Sequence, residues 1–238
     1  SRMSSYKINA IVLGCTNVKE KDRLLRVFSL EQGKLTLSLK GVRQEKSKLK
    51  IAKEIFCFGQ FICEKGREID IVTGFDVIDN FSGLTKDIEK YYEGCAILDL
   101  LNAVASGANP PLFIEIISAL KTLCYENLPK YYIIDKFLLS LIDALGYNFL
   151  TENCSTCQVR LTKRYLNLDI GEIVCPSCRN QNCVAISEAC YSAMKLLSSS
   201  SYEKLSTIKL GGDGEKEAYN ILSKDFYYRT GHQVLSII

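Results

Sequence analysis

Gly33-Lys34-Leu35-Thr36-Leu37-Ser38-Leu39-Lys40-Gly41 decides how the first third of the chain folds. Leucine alternates with a polar residue at every second position, which is the period of a strand with one buried face. Working outward, Glu31-Gln32-Gly33 is a turn signal, Leu24 to Ser29 is a short apolar run, and Tyr6 to Leu13 is rich in apolar and β-branched residues. Downstream, a basic loop leads to two more runs, Ile55 to Glu64 and Ile69 to Ile78, joined by a Lys65-Gly66 turn in hairpin order. Five strands within about seventy residues, with no long helix among them, suit a small closed barrel such as the OB-fold.

The period changes from Leu84 onward. Ile88, Tyr91, Cys95, Leu98 and Asn102 fall at helical spacing, with Tyr92 and Leu101 widening the stripe. Asn109-Pro110-Pro111 reads as a helix start, because Asn accepts free amides and Pro at the first position has none to satisfy. That helix should bury Phe113, Ile116, Ile117, Leu120 and Cys124. Phe137, Leu138, Leu141, Ile142 and Leu145 mark a third helix, which Gly146 can end in the left-handed conformation. Ser187 can cap a further helix, and Gly211-Gly212-Asp213-Gly214 precedes a last one carrying Ala218, Ile221, Leu222 and Phe226. The fold class expected is α+β: a five-stranded OB barrel over 1–82, a mostly helical domain over 83–152 and 184–238, and a cysteine-rich insert over 153–183.

That insert holds Cys154-x2-Cys157 and Cys175-x2-Cys178, seventeen residues apart. Two residues between ligands let one turn present both sulfurs to one ion, and this is the two-knuckle spacing of a four-cysteine zinc site. Gly171 is the expected turn between the knuckles, and Cys183 is a spare thiol with a poorer spacing. Four thiolates close the shell of one zinc, leaving no place for a water, so the metal is expected to be structural. Arg160, Lys163, Arg164 and Arg179 surround it in sequence and would offset the negative charge of such a site.

The chain has 238 residues, 47% of them apolar, and eleven cysteines. No stretch approaches the roughly 18 uninterrupted apolar residues of a membrane helix, and there is no apolar leader, so a soluble cytoplasmic protein is expected. Ser1 and Arg2, ahead of Met3, are expected to lie outside the functional chain. Thiols in a reducing compartment cannot be assumed to pair, which favours the metal reading.

Net charge is only +3, but residues 1–80 hold fifteen Lys and Arg against ten Asp and Glu. Lys34, Lys40, Arg43, Lys46, Lys48, Lys50 and Lys53 are opposed within their window by Glu45 alone. Such a block suits a polyanion whose counterions it displaces, or else a solvated loop. Phe56, Phe58 and Phe61 are candidates for base stacking, although Phe56 and Phe58 read as sharing the core face of one strand. A single histidine, His232, and the lack of a Gly-rich run ending in Gly-Lys-Ser/Thr argue against a catalytic site.

Glu20-Lys21-Asp22-Arg23-Leu24-Leu25, Lys40-Gly41-Val42-Arg43 with Lys46-Ser47-Lys48-Leu49, and Leu145-Gly146-Tyr147 ahead of the first knuckle resemble, in that order, motifs of the bacterial recombination mediator family RecO. The resemblance covers nearly the whole chain. Where members have Arg-Arg-Pro, this chain has Arg43-Gln44-Glu45. The resemblance implies a non-enzymatic DNA repair and recombination protein with one structural zinc on Cys154, Cys157, Cys175 and Cys178. It further implies contacts to single- and double-stranded DNA through Arg23, Lys34, Lys40, Arg43, Lys46, Lys48 and Lys50. Its expected activities are annealing of complementary strands and help in loading RecA. Its expected partners are RecR and the acidic C-terminal tail of single-stranded DNA-binding protein, the latter in an apolar groove with a basic rim. An RNA-binding OB and zinc-ribbon protein of translation is the alternative, and a zinc enzyme is the reading least compatible with a closed four-thiolate shell.

Overall fold

A computed structural model describes residues 4–18, 22–40 and 49–238, with 49 and 50 described by backbone alone. Its first strand, β1 (Ser5–Asn17), serves two neighbours. Ser5 to Ile11 pair with β4 (Phe58–Glu64), and Ala10 to Asn17 pair with β2 (Arg23–Ser29), with a shift of register between Val12 and Gly14. β3 (Gly33–Leu39) continues the meander from β2, and β5 (Ile71–Asp79) pairs with β4. A parallel contact between Ser38 and Ile71 closes the barrel in the order β1-β2-β3-β5-β4.

Inward-facing residues fill it: Ile8, Ala10 and Val12, then Leu25, Val27, Leu37, Leu39, Phe61 and Phe75, with Leu35 and Cys15 packed at the edges. The leucine alternation of β3 is thus the inner face of a barrel. Gly33 closes the β2–β3 turn at φ +75, where a side chain would also strike the backbone of Ser106 and Gly107.

The strand expected to end at Leu13 runs on to Asn17, because the register shift lets the curved second half of β1 keep pairing with β2. The strand expected from Ile55 begins instead at Phe58. Phe56 has φ 72 and is fully buried, its ring edge-on to Tyr91 and against Gly94. Phe56 and Phe58 therefore do not share a strand face. Part of the basic loop forms a short helix, α1 (Leu49–Ala52).

After the barrel come α2 (Ser82–Thr85), α3 (Ile88–Val104) and α4 (Pro110–Tyr125). Of the stripe expected on α3, Leu98 and Leu101 are buried, together with Ile97 and Leu100, and Cys95 is half-buried, while Ile88, Tyr91, Tyr92 and Asn102 are exposed. Apolar residues occupy nearly every side of this helix, so period alone does not choose the buried one. Asp87 caps it by accepting from the amides of Glu89 and Lys90. Asn109 caps α4 by accepting from the Leu112 amide at 3.2 Å, and Phe113, Ile116, Leu120 and Cys124 are buried as the sequence suggests. Phe113 meets both Phe28 and Phe58. One compact unit runs to Cys124, and Tyr125–Ile237 form a second.

The second unit contains α5 (Tyr132–Ala144), strands β6 (Arg164–Asn167), β7 (Glu172–Val174) and β8 (Cys183–Ile186), α6 (Glu188–Ser199) and α7 (Gly214–Thr230). Gly146 ends α5 with φ +97, and Ser187 caps α6 by accepting from the Cys190 amide. The three helices pack together through Phe137, Leu141, Met194, Leu197, Leu222 and Phe226, all buried. Arg229 near the end of α7 pairs with Asp225 at 3.4 Å, donates to the Leu168 carbonyl and lies over the Tyr147 ring. α7 is thereby tied to the β6–β7 turn.

Asp225 is completely buried, and burial pushes its carboxyl up to about 6 against the opposing pull of Arg229. The folded state therefore keeps this proton at pH values where the unfolded chain, near 3.8, has released it. Wild type should lose stability relative to Asp225→Asn as pH rises from about 4 to about 7, by about 3 kcal/mol. Urea unfolding of both proteins across that range checks this; parallel stability curves would refute it.

Candidate metal centre and nucleic-acid surface

The cysteine-rich segment has few apolar residues, and its order comes from backbone bonds around two tight turns. In the first knuckle the Cys154 amide donates to the Val159 carbonyl at 2.8 Å and the Gln158 amide returns to Cys154 at 3.0 Å. Gln158 adopts φ 65 to complete that loop. In the second, the Cys178 amide donates to the Cys175 carbonyl at 3.1 Å. The β6–β7 hairpin, turning at Gly171 with φ +68, sets Val174 opposite Tyr165 and so delivers Cys175 to the first knuckle. The Ser155 amide, bonded to the Ile173 carbonyl at 3.0 Å, ties the two together.

The four sulfurs of Cys154, Cys157, Cys175 and Cys178 consequently lie within 4.8 Å of one another, and Cys157 and Cys175 are 3.8 Å apart. A tetrahedral ion with metal–sulfur bonds of about 2.3 Å requires sulfur separations of about 3.8 Å. The donor set fits a thiophilic tetrahedral metal. Burial opposes a charge on Cys154, but amides of Cys157, Cys175 and Thr156 directed at its sulfur prevail and bring its pKa down to about 6. Cys178 is pushed up to about 12 through its bonds with Cys157 and Cys175. Cys183 is outside the group and bonds to Asn180 at the start of β8. Of the cations expected to balance the metal, Arg179 donates to the Tyr165 hydroxyl at 2.7 Å, and Arg164 stacks on Tyr191.

The barrel carries the second candidate surface. OB barrels bind oligonucleotides across strands 2 and 3 and the loops β1–β2 and β4–β5. Arg23 opens β2 opposite Leu39, and the exposed Lys40 follows that leucine, so the two cations share one end of the barrel. Lys34 does not join them. It sits six residues back along β3, about 20 Å away, where its Nζ donates to the Asn102 carbonyl at 2.8 Å and its amide to Ser106 at 2.7 Å. Arg43, Lys46 and Lys48 lie outside the described residues, as does the side chain of Lys50.

Sequence reading passed over Arg26, Lys65 and Arg67 here, and took Lys53 only as part of the basic block. Arg26 and Lys53 lie, with Arg23, close enough to Cys15 to favour its thiolate against the effect of burial. Lys65 and Arg67 belong to the β4–β5 loop, which was legible only as a turn. Asp70 organises that loop: it accepts from Tyr6 at 2.5 Å and from the Gly66 amide at 3.1 Å, and pairs with Lys65 at 3.3 Å. The bond from Tyr6, opposed by burial, holds the Asp70 carboxyl below its ordinary range. Of the three stacking candidates, Phe56 and Phe61 are fully buried, and Phe58 is half-buried and packs edge-on against Phe113.

Comparison with known proteins covers both units. Residues 3–81 match the family model described as Recombination protein O N terminal, and residues 85–234 match Recombination protein O C terminal. Among curated relatives, DNA repair protein RecO of Clostridium novyi is 27% identical over 92% of this chain and 87% of its own length. The protein of that name from Desulforamulus reducens is 31% identical over 74% of this chain and 70% of its own length. That of Caldanaerobacter subterraneus is 26% identical over 96% and 93% respectively.

The sulfur geometry makes a spectroscopic prediction. Titration of the reduced metal-free chain with cobalt(II) should give visible bands of a tetrahedral thiolate complex, saturating at one equivalent, and Cys175→Ala should abolish that endpoint. Uptake without tetrahedral bands, or an unchanged endpoint in the variant, would exclude these four sulfurs as the ligand set.

Proposed function

We infer the function from the family: the chain belongs to the recombination protein O (RecO) family, and it acts in DNA repair and recombination. Two family models matched in sequence order across nearly the whole chain carry this reading. The barrel is the element that binds single- and double-stranded DNA, through backbone charge at the end where Arg23 and Lys40 stand and from which Arg43, Lys46, Lys48 and Lys50 follow in sequence. Contacts of that kind position a strand without reading its sequence, which suits a protein that must act wherever a gap occurs.

The activity that follows is annealing of complementary strands and, with RecR, assistance to RecA on DNA coated by single-stranded DNA-binding protein. The acidic tail of that coating protein is assigned to the second unit. The cleft that supports this is about 290 Å³, lined by Ala189, Ala193, Leu196 and Leu210, with Lys209 and Glu188 on its walls. The metal is zinc, held by Cys154, Cys157, Cys175 and Cys178 and structural in role, because four thiolates leave no open position for a reacting group. Nothing in this function calls for turnover at a catalytic residue.

The test is the salt dependence of binding to a single strand. About four phosphate contacts give a slope of log affinity against log salt of roughly −3. Replacing Lys40, Arg43, Lys46, Lys48 and Lys50 together by Ala should flatten it towards zero for every sequence tried, with metal content and thermal stability unchanged. Lys34→Ala, at the opposite end of β3, should leave the slope as it is. An undiminished slope in the folded fivefold variant removes this surface from the function.

A further inference from the structure

Among the described residues, Arg164 and Arg229 each bury an Nε without a hydrogen-bond partner, but they differ in what else holds the fork. Arg229 is bonded to the Leu168 carbonyl and paired with Asp225, and Arg179 donates to the Tyr165 hydroxyl. Arg164 is only 9% exposed, its guanidinium lies 3.5 Å from the centre of the Tyr191 ring, and its Nε has no hydrogen-bond partner among the described residues. A buried charged donor left without an acceptor is costly, and stacking on an aromatic face fixes the plane of the fork without using its N–H groups.

The side chain lines a cleft of about 500 Å³ between the first cysteine knuckle, the start of β6 and α6. Arg160 and Lys195 stand on its walls together with Glu152 and Glu188. Glu188, Tyr191 and Lys195 come from one face of α6, at helical spacing. The β6–β8 pairing of Arg164 with Ile186 holds the arginine against that face. Three cations and two exposed carboxylates favour one compact, multiply charged oxyanion over a continuous phosphodiester tract, which would have to pass both acids.

We propose that this cleft is a binding site for a single phosphomonoester group, with the Arg164 fork as its principal donor and Arg160 and Lys195 as flanking charges. The group belongs either to a small free phosphate or to the 5′ end of a DNA strand, and both present the same terminal oxygens. The site stands on residues of the second unit and does not rest on the DNA surface assigned to the barrel.

The experiment uses the full metal-loaded chain and follows the Nε–H resonance of Arg164, assigned from its loss in Arg164→Lys. Inorganic phosphate should shift it saturably, and Arg164→Lys, which keeps the charge but not the fork, should weaken phosphate binding about tenfold. Two surface variants on the cleft wall keep the test decisive should that variant fold poorly: Lys195→Gln should weaken binding and Glu188→Gln should strengthen it, each by several-fold. A 5′-phosphorylated oligonucleotide binding more tightly than its 5′-hydroxyl twin, with the difference lost in Lys195→Gln, assigns the group to a DNA end. Saturation by inorganic phosphate with no such difference assigns it to a small free phosphate. The proposal is overturned if neither phosphate source shifts the resonance, or if acetate or an acidic peptide saturates it as well as phosphate does. The salt slope of single-strand binding should be unchanged in Lys195→Gln, so failure here and failure of the barrel surface are separately visible.

Discussion

One strand serves as the shared wall of the barrel. β1 is bonded to β4 along its first half and to β2 along its second, and the shift of register between Val12 and Gly14 lets it turn from one to the other. Without that turn the five strands would form an open sheet with two bare edges. Because β1 bends, the ends of β1 and β3, the start of β2 and the β4–β5 loop come to one end of the barrel. Phe28, Phe58 and Gly33 at the other end meet α4 and the segment before it. The distinction between Lys34 and Lys40, seven positions of one strand pattern with opposite fates, follows from this geometry.

In the second unit the ordering agent differs. Strands β6, β7 and β8 have four, three and four residues, too short to be stable as an isolated sheet. They are held by knuckle bonds and by the convergence of four sulfurs, whose mutual repulsion as thiolates only a cation relieves. Metal binding at such a site would be folding free energy, on the order of ten kcal/mol in isolated fingers. The ties from Arg229 to Leu168 and from Arg164 to Tyr191 then couple the small sheet to α7 and α6. A perturbation of the sulfurs should be felt at the cleft beside α6 for that reason.

Features with a local cause were legible in the sequence. The alternation Leu35, Leu37, Leu39, the caps Asn109 and Ser187, the stop at Gly146 and the spacing of the four cysteines each state their geometry within a few residues. Features set by distant partners were not. The second half of β1 reads as a loop until β2 is set beside it, and Phe56 takes a left-handed backbone because a gap opposite Gly94 on α3 receives its ring. The buried side of α3 was legible at Leu98 and Leu101 but not at Ile88, Tyr91 and Tyr92, since its apolar residues encircle it. The basic block showed as composition, yet only the barrel reveals that Lys34 and Lys40 point to different ends, and that Lys65 and Arg67 belong with the latter's loops.

The inward turn of the phenylalanines bears on how such a barrel can hold DNA. Barrels that grip single strands by stacking place aromatic rings on the outer sheet, where each base contributes through its π-face. Here Phe61 and Phe75 meet as a tilted pair in the core at 4.6 Å, and Phe56 and Phe58 pack against α3 and α4. On the proposed reading, affinity at this surface comes from charge, which is indifferent to base identity and falls with salt. A surface of that kind would not prefer an unpaired strand for its bases, so in the proposed function one barrel end would accept single and double strands alike. That tolerance is what an annealing function requires, because the strand held before pairing and the duplex formed after it must both be bound, and neither so tightly that it is retained.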